Sequence, residues 1–133
     1  MKTETPFDPS GELIVVNATI WGPRGSIAAR MAIDTGAAAT VVIPDLLDEL
    51  GYSPRDGMVR TSVHTAIGEE HGCLRKLTEF DALGFTRPAF PIHVFELSNR
   101  YGIDGLIGLN FLDKLHDEIR SAEGRILADL IES

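Results

Sequence analysis

The stretch "MAIDTGAAATVVI", residues 31–43, sets an Asp-Thr-Gly triplet between two runs of apolar and small residues. A carboxylate in such surroundings costs free energy unless another group pairs with it or uses it. Asp34 is therefore either a turn residue that accepts hydrogen bonds from nearby backbone amides or an acid placed in a low-dielectric site for chemistry. The triplet alone does not separate these interpretations, because chance produces it in roughly a few per cent of chains of this length.

The composition is that of one acidic globular domain. The chain has 133 residues, of which 44% are hydrophobic, and this length is sufficient to bury a core. Its net charge of −8 offers no basic surface for nucleic-acid phosphates or for an anionic membrane. No stretch approaches the ~20 apolar residues that span a bilayer, and the N-terminus lacks the apolar core of a secretory signal. We therefore expect a cytoplasmic protein with neither nucleic acid nor membrane as a partner.

Residue types that bind metals are sparse and scattered. Cys73 is the only cysteine, which excludes an intrachain disulfide and a thiolate cluster for zinc. The histidines lack the spacing of metal ligands: His64, His71, His93 and His116. The sequence therefore predicts no metal and no organic cofactor.

Strand signals dominate the chain. "ELIVVNATIW" and "IAARMAI", residues 12–21 and 27–33, flank the turn sequence "GPRGS" and predict a hairpin whose second strand leads into Asp34. Residues 58–83 predict two further strands about a polar turn at "EEHG", residues 69–72.

Helix signals are short, and the two ends of the chain differ. "PDLLDELGY", residues 44–52, predicts a helix that begins at a proline and stops at a glycine, and a second short helix is expected near residues 110–116. Residues 117–131 predict a closing hairpin. Two prolines and mixed charges indicate a flexible N-terminal tail over residues 1–11, followed by a single domain over residues 12–133.

Each position of the triplet has a chemical reason. Asp34 would be the reacting acid, and the Thr35 hydroxyl can bond to backbone groups and lock the loop. Gly36 has no Cβ, so backbone or a second carboxylate can approach closely. The glycine-rich stretch "GIDGLIGLNFL", residues 102–112, would let a strand and a helix pass close behind the acid. Asp104 in this stretch belongs to an Asp-Gly step, which is typical of a turn rather than of a second catalytic acid.

These blocks resemble the motifs of the single-lobed, retropepsin-like aspartic proteases of bacterial type. Four consecutive residues are similar to the family's Asp-Thr-Gly-Ser/Ala signature: Asp34, Thr35, Gly36 and Ala37. "LIGLNFL", residues 106–112, is similar to its second block, and "TAIG", residues 65–68, resembles the stretch on its flap hairpin. The resemblance covers about residues 12–131. It implies a mostly β, closed, β-barrel-like acid protease fold, with one lobe per chain and one or two short helices.

The resemblance implies an aspartic endopeptidase as the function. In this family two facing carboxylates share one proton and activate a water that attacks the peptide bond. Because the chain carries one such triplet, the second Asp34 would come from an identical chain in a homodimer with two-fold symmetry. The polypeptide substrate would bind as an extended strand, in apolar pockets lined by residues such as Ile67 and Ile107.

The resemblance also assigns supporting roles. Support of the catalytic loop falls to Thr35, Gly36 and Ala37. The flap over the substrate would be formed by Thr65, Ala66, Ile67 and Gly68. The core behind the site would be formed by Leu106, Ile107 and Gly108. Leu109 replaces the arginine that retroviral members usually have here, so their dimer-bracing ion pair is not expected.

Two other functions fit the same residues. A catalytically silent module of the same fold would serve dimerisation or peptide binding, although a scaffold gains nothing from two facing carboxylates. A small β-barrel that binds a ligand would be monomeric. If the chain is an enzyme, Ala37 cannot donate the hydrogen bond that a serine would give the carboxylate. A pH optimum less acidic than that of gastric-type relatives is then expected.

Overall fold

The structure is a computed structural model that describes residues 1–52, 59–65, 68–97 and 102–131. Within these ranges the elements are β1 (Lys2–Pro6), β2 (Val15–Gly22), β3 (Gly25–Ile33), β4 (Val41–Val42), α1 (Pro44–Glu49), β5 (Val59–Thr65), β6 (Gly68–Ala82), β7 (Phe85–Val94), β8 (Gly105–Ile107), α2 (Leu109–Leu112), β9 (Leu115–Arg120) and β10 (Arg125–Leu130). None of the helices in these ranges is long and apolar enough to cross a membrane.

Six strands of the larger sheet close into a barrel. Their order is β2, β3, β8, β4, β7 and β6, and β6 pairs again with β2 through the register Ile20↔Phe80. β5 pairs with residues 68–74 of β6, on the edge of β6 that is opposite β7. The smaller sheet has the order β1-β10-β9. The prediction of a mostly β, barrel-like, one-lobed fold with one or two short helices is confirmed.

Local sequence signals explain several of these elements. The predicted hairpin into Asp34 is confirmed as β2 and β3, which pair as far as Gly22↔Gly25 around a two-residue turn. α1 has Pro44 in its first turn, and the chain leaves it through Gly51, whose φ of 85° is cheap only for glycine. The predicted closing hairpin is confirmed as β9 and β10.

Three phenylalanines fix the second short helix against the barrel. Phe80 on β6 and Phe90 on β7 stack with ring centroids 5.1 Å apart. Phe111 on α2 meets both rings edge-on, at 5.2 Å and 5.7 Å. All three side chains are at most 1% exposed, and each such aromatic pair adds about 0.5–1.5 kcal/mol beyond its buried area. This contact holds the segment behind Asp34 in place.

The expectation of a flexible N-terminal tail is wrong for residues 2–6. These residues form β1, which pairs antiparallel with β10 in the register Thr3↔Ala128. The Thr3 hydroxyl also donates to the Leu83 carbonyl at 2.6 Å. The stabilising partners lie at the other end of the sequence or in a distant turn, so the local composition did not indicate them.

Two predicted boundaries also differ from the structure. The second helix was expected near residues 110–116, but α2 ends at Leu112 and Leu115 pairs with Leu130 as the first residue of β9. The turn expected at residues 69–72 is part of β6, which begins at Gly68. In both cases cross-strand pairing extends a strand into residues whose local sequence favours a helix or a turn.

Candidate active site

Asp34 stands at the end of β3, one residue beyond its last strand pair. Its N–H donates to the Ile107 carbonyl at 2.9 Å, which extends the parallel β3–β8 ladder by one step. The side chain is half-buried, and its Oδ1 accepts a hydrogen bond from the Gly36 N–H at 2.9 Å. The Ala37 N–H bonds to the Asp34 carbonyl at 3.2 Å and closes the turn. Strand and turn together hold the carboxylate at a partly exposed position.

Gly36 keeps the space beside this carboxylate open. A Cβ built on Gly36 would lie 3.2 Å from Asp34 Oδ1, which is tighter than ordinary van der Waals contact. Thr35 and Gly36 are both exposed, so this part of the loop faces away from the core. A second group can therefore approach Asp34 over the glycine.

The second glycine-rich block passes directly behind the Asp34 loop. β8 lies between β3 and β4, paired with one on each side. A Cβ on Gly105 would overlap the Val41 carbonyl oxygen, and a Cβ on Gly108 would overlap the Ala39 carbonyl oxygen. The Leu109 N–H then donates to the Ala37 carbonyl at 2.8 Å. Both glycines are required because the backbone of the loop occupies the space of a side chain.

Thr40 and Asn110 tie the two blocks together, and the sequence analysis did not identify either residue. Thr40 has no exposed surface, and its hydroxyl and its backbone N–H both donate to Asn110 Oδ1 at 2.8 Å. The same hydroxyl accepts the Gly108 N–H at 3.1 Å, while Asn110 Nδ2 donates to the Pro91 carbonyl at 2.8 Å. The only available signals were a threonine flanked by apolar residues and an asparagine two residues after a glycine.

Asp104 is a structural residue, as its Asp-Gly sequence indicated. Its carboxylate accepts the Arg30 N–H at 2.8 Å, and its own N–H donates to the Arg30 carbonyl at 2.7 Å. Its carbonyl accepts the Ile43 N–H at 3.0 Å. Asp104, the one acid of the glycine-rich block, is therefore engaged in joining β3 to the start of α1.

Leu106 and Ile107 point to opposite faces of β8. Ile107 has no exposed surface and belongs to the core, which agrees with its expected place behind the site and leaves it no surface to line a substrate pocket. Leu106 was expected in the core but is only half-buried. Successive side chains of a strand point to opposite faces of the sheet, so Leu106, next to the core residue Ile107, faces away from the core. Ile67, the other expected pocket residue, lies outside the described residues.

A family model described as aspartyl protease matches residues 16–111, which include the Asp34 turn and both glycines behind it. The chain belongs to the aspartyl protease family. No curated protein matches it.

The fold of this aspartyl protease is similar to that of a solved relative. The chain matches the crystal structure of a retropepsin-like aspartic protease from Rickettsia conorii with a TM-score of 0.68 and 17% sequence identity. The match covers 96% of this chain and 89% of that chain. At this identity the likeness shows the fold, which is retropepsin-like.

The expected flap of this aspartyl protease is described only in part. β5 and β6 pair antiparallel up to Thr65↔Gly68, which leaves a two-residue connection. Those two residues, Ala66 and Ile67, lie outside the described residues. The roles of all four residues over a substrate remain a prediction from the sequence.

Among the described side chains, no set of three or more His, Cys, Asp or Glu residues could hold a metal ion. Cys73 on β6 is a half-buried free thiol. The chemistry available at the described part of the site is therefore that of one carboxylate and the backbone amides around it.

Proposed function

We propose that this aspartyl protease is a homodimeric endopeptidase in which two Asp34 carboxylates, one from each chain, activate the attacking water. The observation that supports this most directly is the position of Asp34 at the end of β3, half-exposed beside Gly36. Asp104 bonds to Arg30 and is not available as its partner. A second copy of Asp34 is then the acid that the chemistry needs.

The reaction follows from the pairing of the two acids. Two carboxylates in contact cannot both ionise, so the pair keeps one proton, and its titration belongs to the pair. The ionised acid takes a proton from a water, and the water oxygen attacks the peptide carbonyl carbon. The protonated acid hydrogen-bonds to the developing oxyanion. The tetrahedral intermediate then breaks at the C–N bond as the amine takes up a proton from the pair.

Leu109 supports the choice of interface. Its side chain is 45% exposed, and its N–H is bonded to Ala37 in the Asp34 loop. A two-fold axis that brings Asp34 to its symmetry mate therefore brings Leu109 close to the partner chain. Burial of this exposed leucine against apolar groups of the partner chain stabilises the dimer. Such an interface depends less on salt than an ion pair would.

The substrate of this dimer is a polypeptide bound as an extended strand. The β5–β6 hairpin is the candidate flap, since two paired strands with a two-residue connection can lie over a peptide and offer backbone hydrogen bonds. Cleavage then occurs where the two Asp34 side chains meet the peptide.

A peptide library tests the proposal. We expect cleavage by the wild type, inhibition by pepstatin and loss of cleavage in Asp34→Asn, with the dimer intact by sedimentation. Asp48→Asn, at an exposed acid of α1, is the matched control and should cleave normally. Equal cleavage by wild type and Asp34→Asn would overturn the proposal and would favour a catalytically silent module.

Mixed dimers test whether the site is shared. When wild type is re-equilibrated with an equal amount of Asp34→Asn, random pairing should reduce its activity to about one half. The added variant would leave activity unchanged if each chain acted alone, and that result would contradict the dimeric site.

A further inference from the structure

One row of side chains crosses the barrel on the face that continues into Asp34. The strand registers align Ala32 with Leu106, Leu106 with Val41, and Val41 with His93. Cross-strand partners lie on the same face of a sheet. Asp34 is two residues beyond Ala32 and its N–H still bonds to β8, so it follows this face as well.

The opposite face of the same strands is the core. The residues next to the row are at most 4% exposed: Met31, Ile107, Val42 and Val94. Leu106 and His93 are only half-buried. Within the row, Ala32 and Val41 are themselves only 2% and 3% exposed, so its accessible surface consists of Leu106 and His93, on the face that continues to Asp34.

His93 has an unusual hydrogen-bonding state. Its Nδ1 is buried and meets no partner among the described residues, although the residue as a whole is half-buried. A proton on Nδ1 would bury an N–H with nothing to receive it, which is costly. Burial also lowers the pKa of His93, which favours the uncharged ring. The ring therefore holds its proton on Nε2, which makes Nε2–H the one donor of this partly exposed side chain.

We propose that His93 selects the substrate, by donating a hydrogen bond from Nε2 to an uncharged side-chain oxygen, a hydroxyl or an amide carbonyl, seated against the partly exposed Leu106. This inference rests on the proposed peptidase function and names its substrate class. The aliphatic neighbours make a charged side chain costly to bury. A purely apolar side chain would cover the N–H without satisfying it, so the site discriminates against that side chain.

Matched peptides test the preference. Pairs of octapeptides taken from the library should be identical except at one position, which carries threonine in one peptide and valine, a side chain of the same shape, in the other. Separate pairs place this exchange at each position of the peptide. At one position the wild type should prefer threonine by about 3- to 10-fold in kcat/KM. It should also prefer asparagine to aspartate there. A preference for aspartate, or for valine at every position, would overturn the inference.

Variants assign the preference to His93. His93→Leu should abolish the threonine preference, and His93→Met makes the same test if the leucine variant does not fold. His93→Gln keeps an N–H donor and should retain part of the preference. His116 is an exposed histidine on β9, so His116→Leu is the control and should behave as wild type. An unchanged preference in His93→Leu or His93→Met would overturn the inference.

Binding separates this inference from the proposed function. The same threonine and valine peptides are titrated against Asp34→Asn, with and without His93→Leu. A His93-dependent threonine preference in binding, without cleavage by wild type, would support the inference and overturn the peptidase. Cleavage by wild type, with no effect of His93→Leu on the threonine preference, would support the peptidase and overturn the inference. If the peptides are neither bound nor cleaved, both the inference and the peptidase function are overturned.

Discussion

The hydroxyl of Thr40 and the side-chain oxygen of Asn110 lie 2.8 Å apart, and this hydrogen bond joins the end of the Asp34 loop to α2. The two residues are 70 positions apart in the sequence. Asn110 Nδ2 also donates to the Pro91 carbonyl on β7, so three segments around the site share one hydrogen-bond network. A change in either residue therefore affects both the stability of the fold and the position of Asp34.

Thr40→Val should lower the free energy of unfolding by about 1–3 kcal/mol, because it leaves the buried Gly108 N–H without its acceptor. Urea unfolding measures the loss. Thr40→Ser keeps the hydroxyl and is the control, with a smaller effect expected. If Thr40→Val is as stable as Thr40→Ser, the buried network does not stabilise the fold.

Gly108→Ala should disrupt the site, because the added Cβ would overlap the Ala39 carbonyl oxygen. Forced displacement of this loop costs about 1–3 kcal/mol and moves Asp34 relative to its partner, so peptide cleavage should fall more than stability. Thermal unfolding and cleavage rates are measured together. Gly11→Ala meets only ordinary contacts and should resemble wild type. Normal cleavage by Gly108→Ala would show that the close approach is unimportant.

Leu109→Asp should weaken the proposed dimer at least about tenfold, since it places an unpaired carboxylate in the interface. Sedimentation over a range of concentrations measures the dissociation constant. Asn17→Asp adds the same charge at an exposed position of β2 and is the control. The monomer fold should survive in both variants because Leu109 is 45% exposed. Equal dimer strength in the two variants would place the interface elsewhere.

The stability of the chain should depend on the protonation of His93. Burial lowers the pKa of His93 in the folded chain, so between that pKa and about 6.5 the unfolded chain binds a proton that the folded chain does not. The free energy of unfolding should therefore fall as the pH falls from about 6.5 towards the folded pKa. His93→Leu should remove this part of the slope, and His116→Leu should keep it. Identical slopes in wild type and His93→Leu would contradict the expectation.

The elements that could be predicted from the sequence are those whose signals are local. The hairpin into Asp34 has alternating residues and a Gly-Pro turn, and α1 begins at Pro44 and is followed by Gly51. The Asp-Thr-Gly triplet and its glycine-rich partner block were recognisable as short motifs, and the structure gives the reason for Gly105 and Gly108, where a Cβ would overlap a backbone carbonyl oxygen. The sequence signal for each of these features lies in residues that are neighbours in the chain.

The elements that could not be predicted depend on distant partners. β1 exists because β10, more than a hundred residues later, pairs with it. The role of Thr40 depends on Asn110, and the burial of His93 Nδ1 depends on the strands that surround it. Local composition indicated a tail, an ordinary threonine and an ordinary histidine at these positions.

The sequence by itself determined the family motif: the acid of one Asp-Thr-Gly triplet, in a chain long enough to form one barrel. Only the tertiary structure decided what surrounds that acid. The reason is that pairing between distant strands sets which side chains share the face of Asp34, and that pairing has no local signal in the chain.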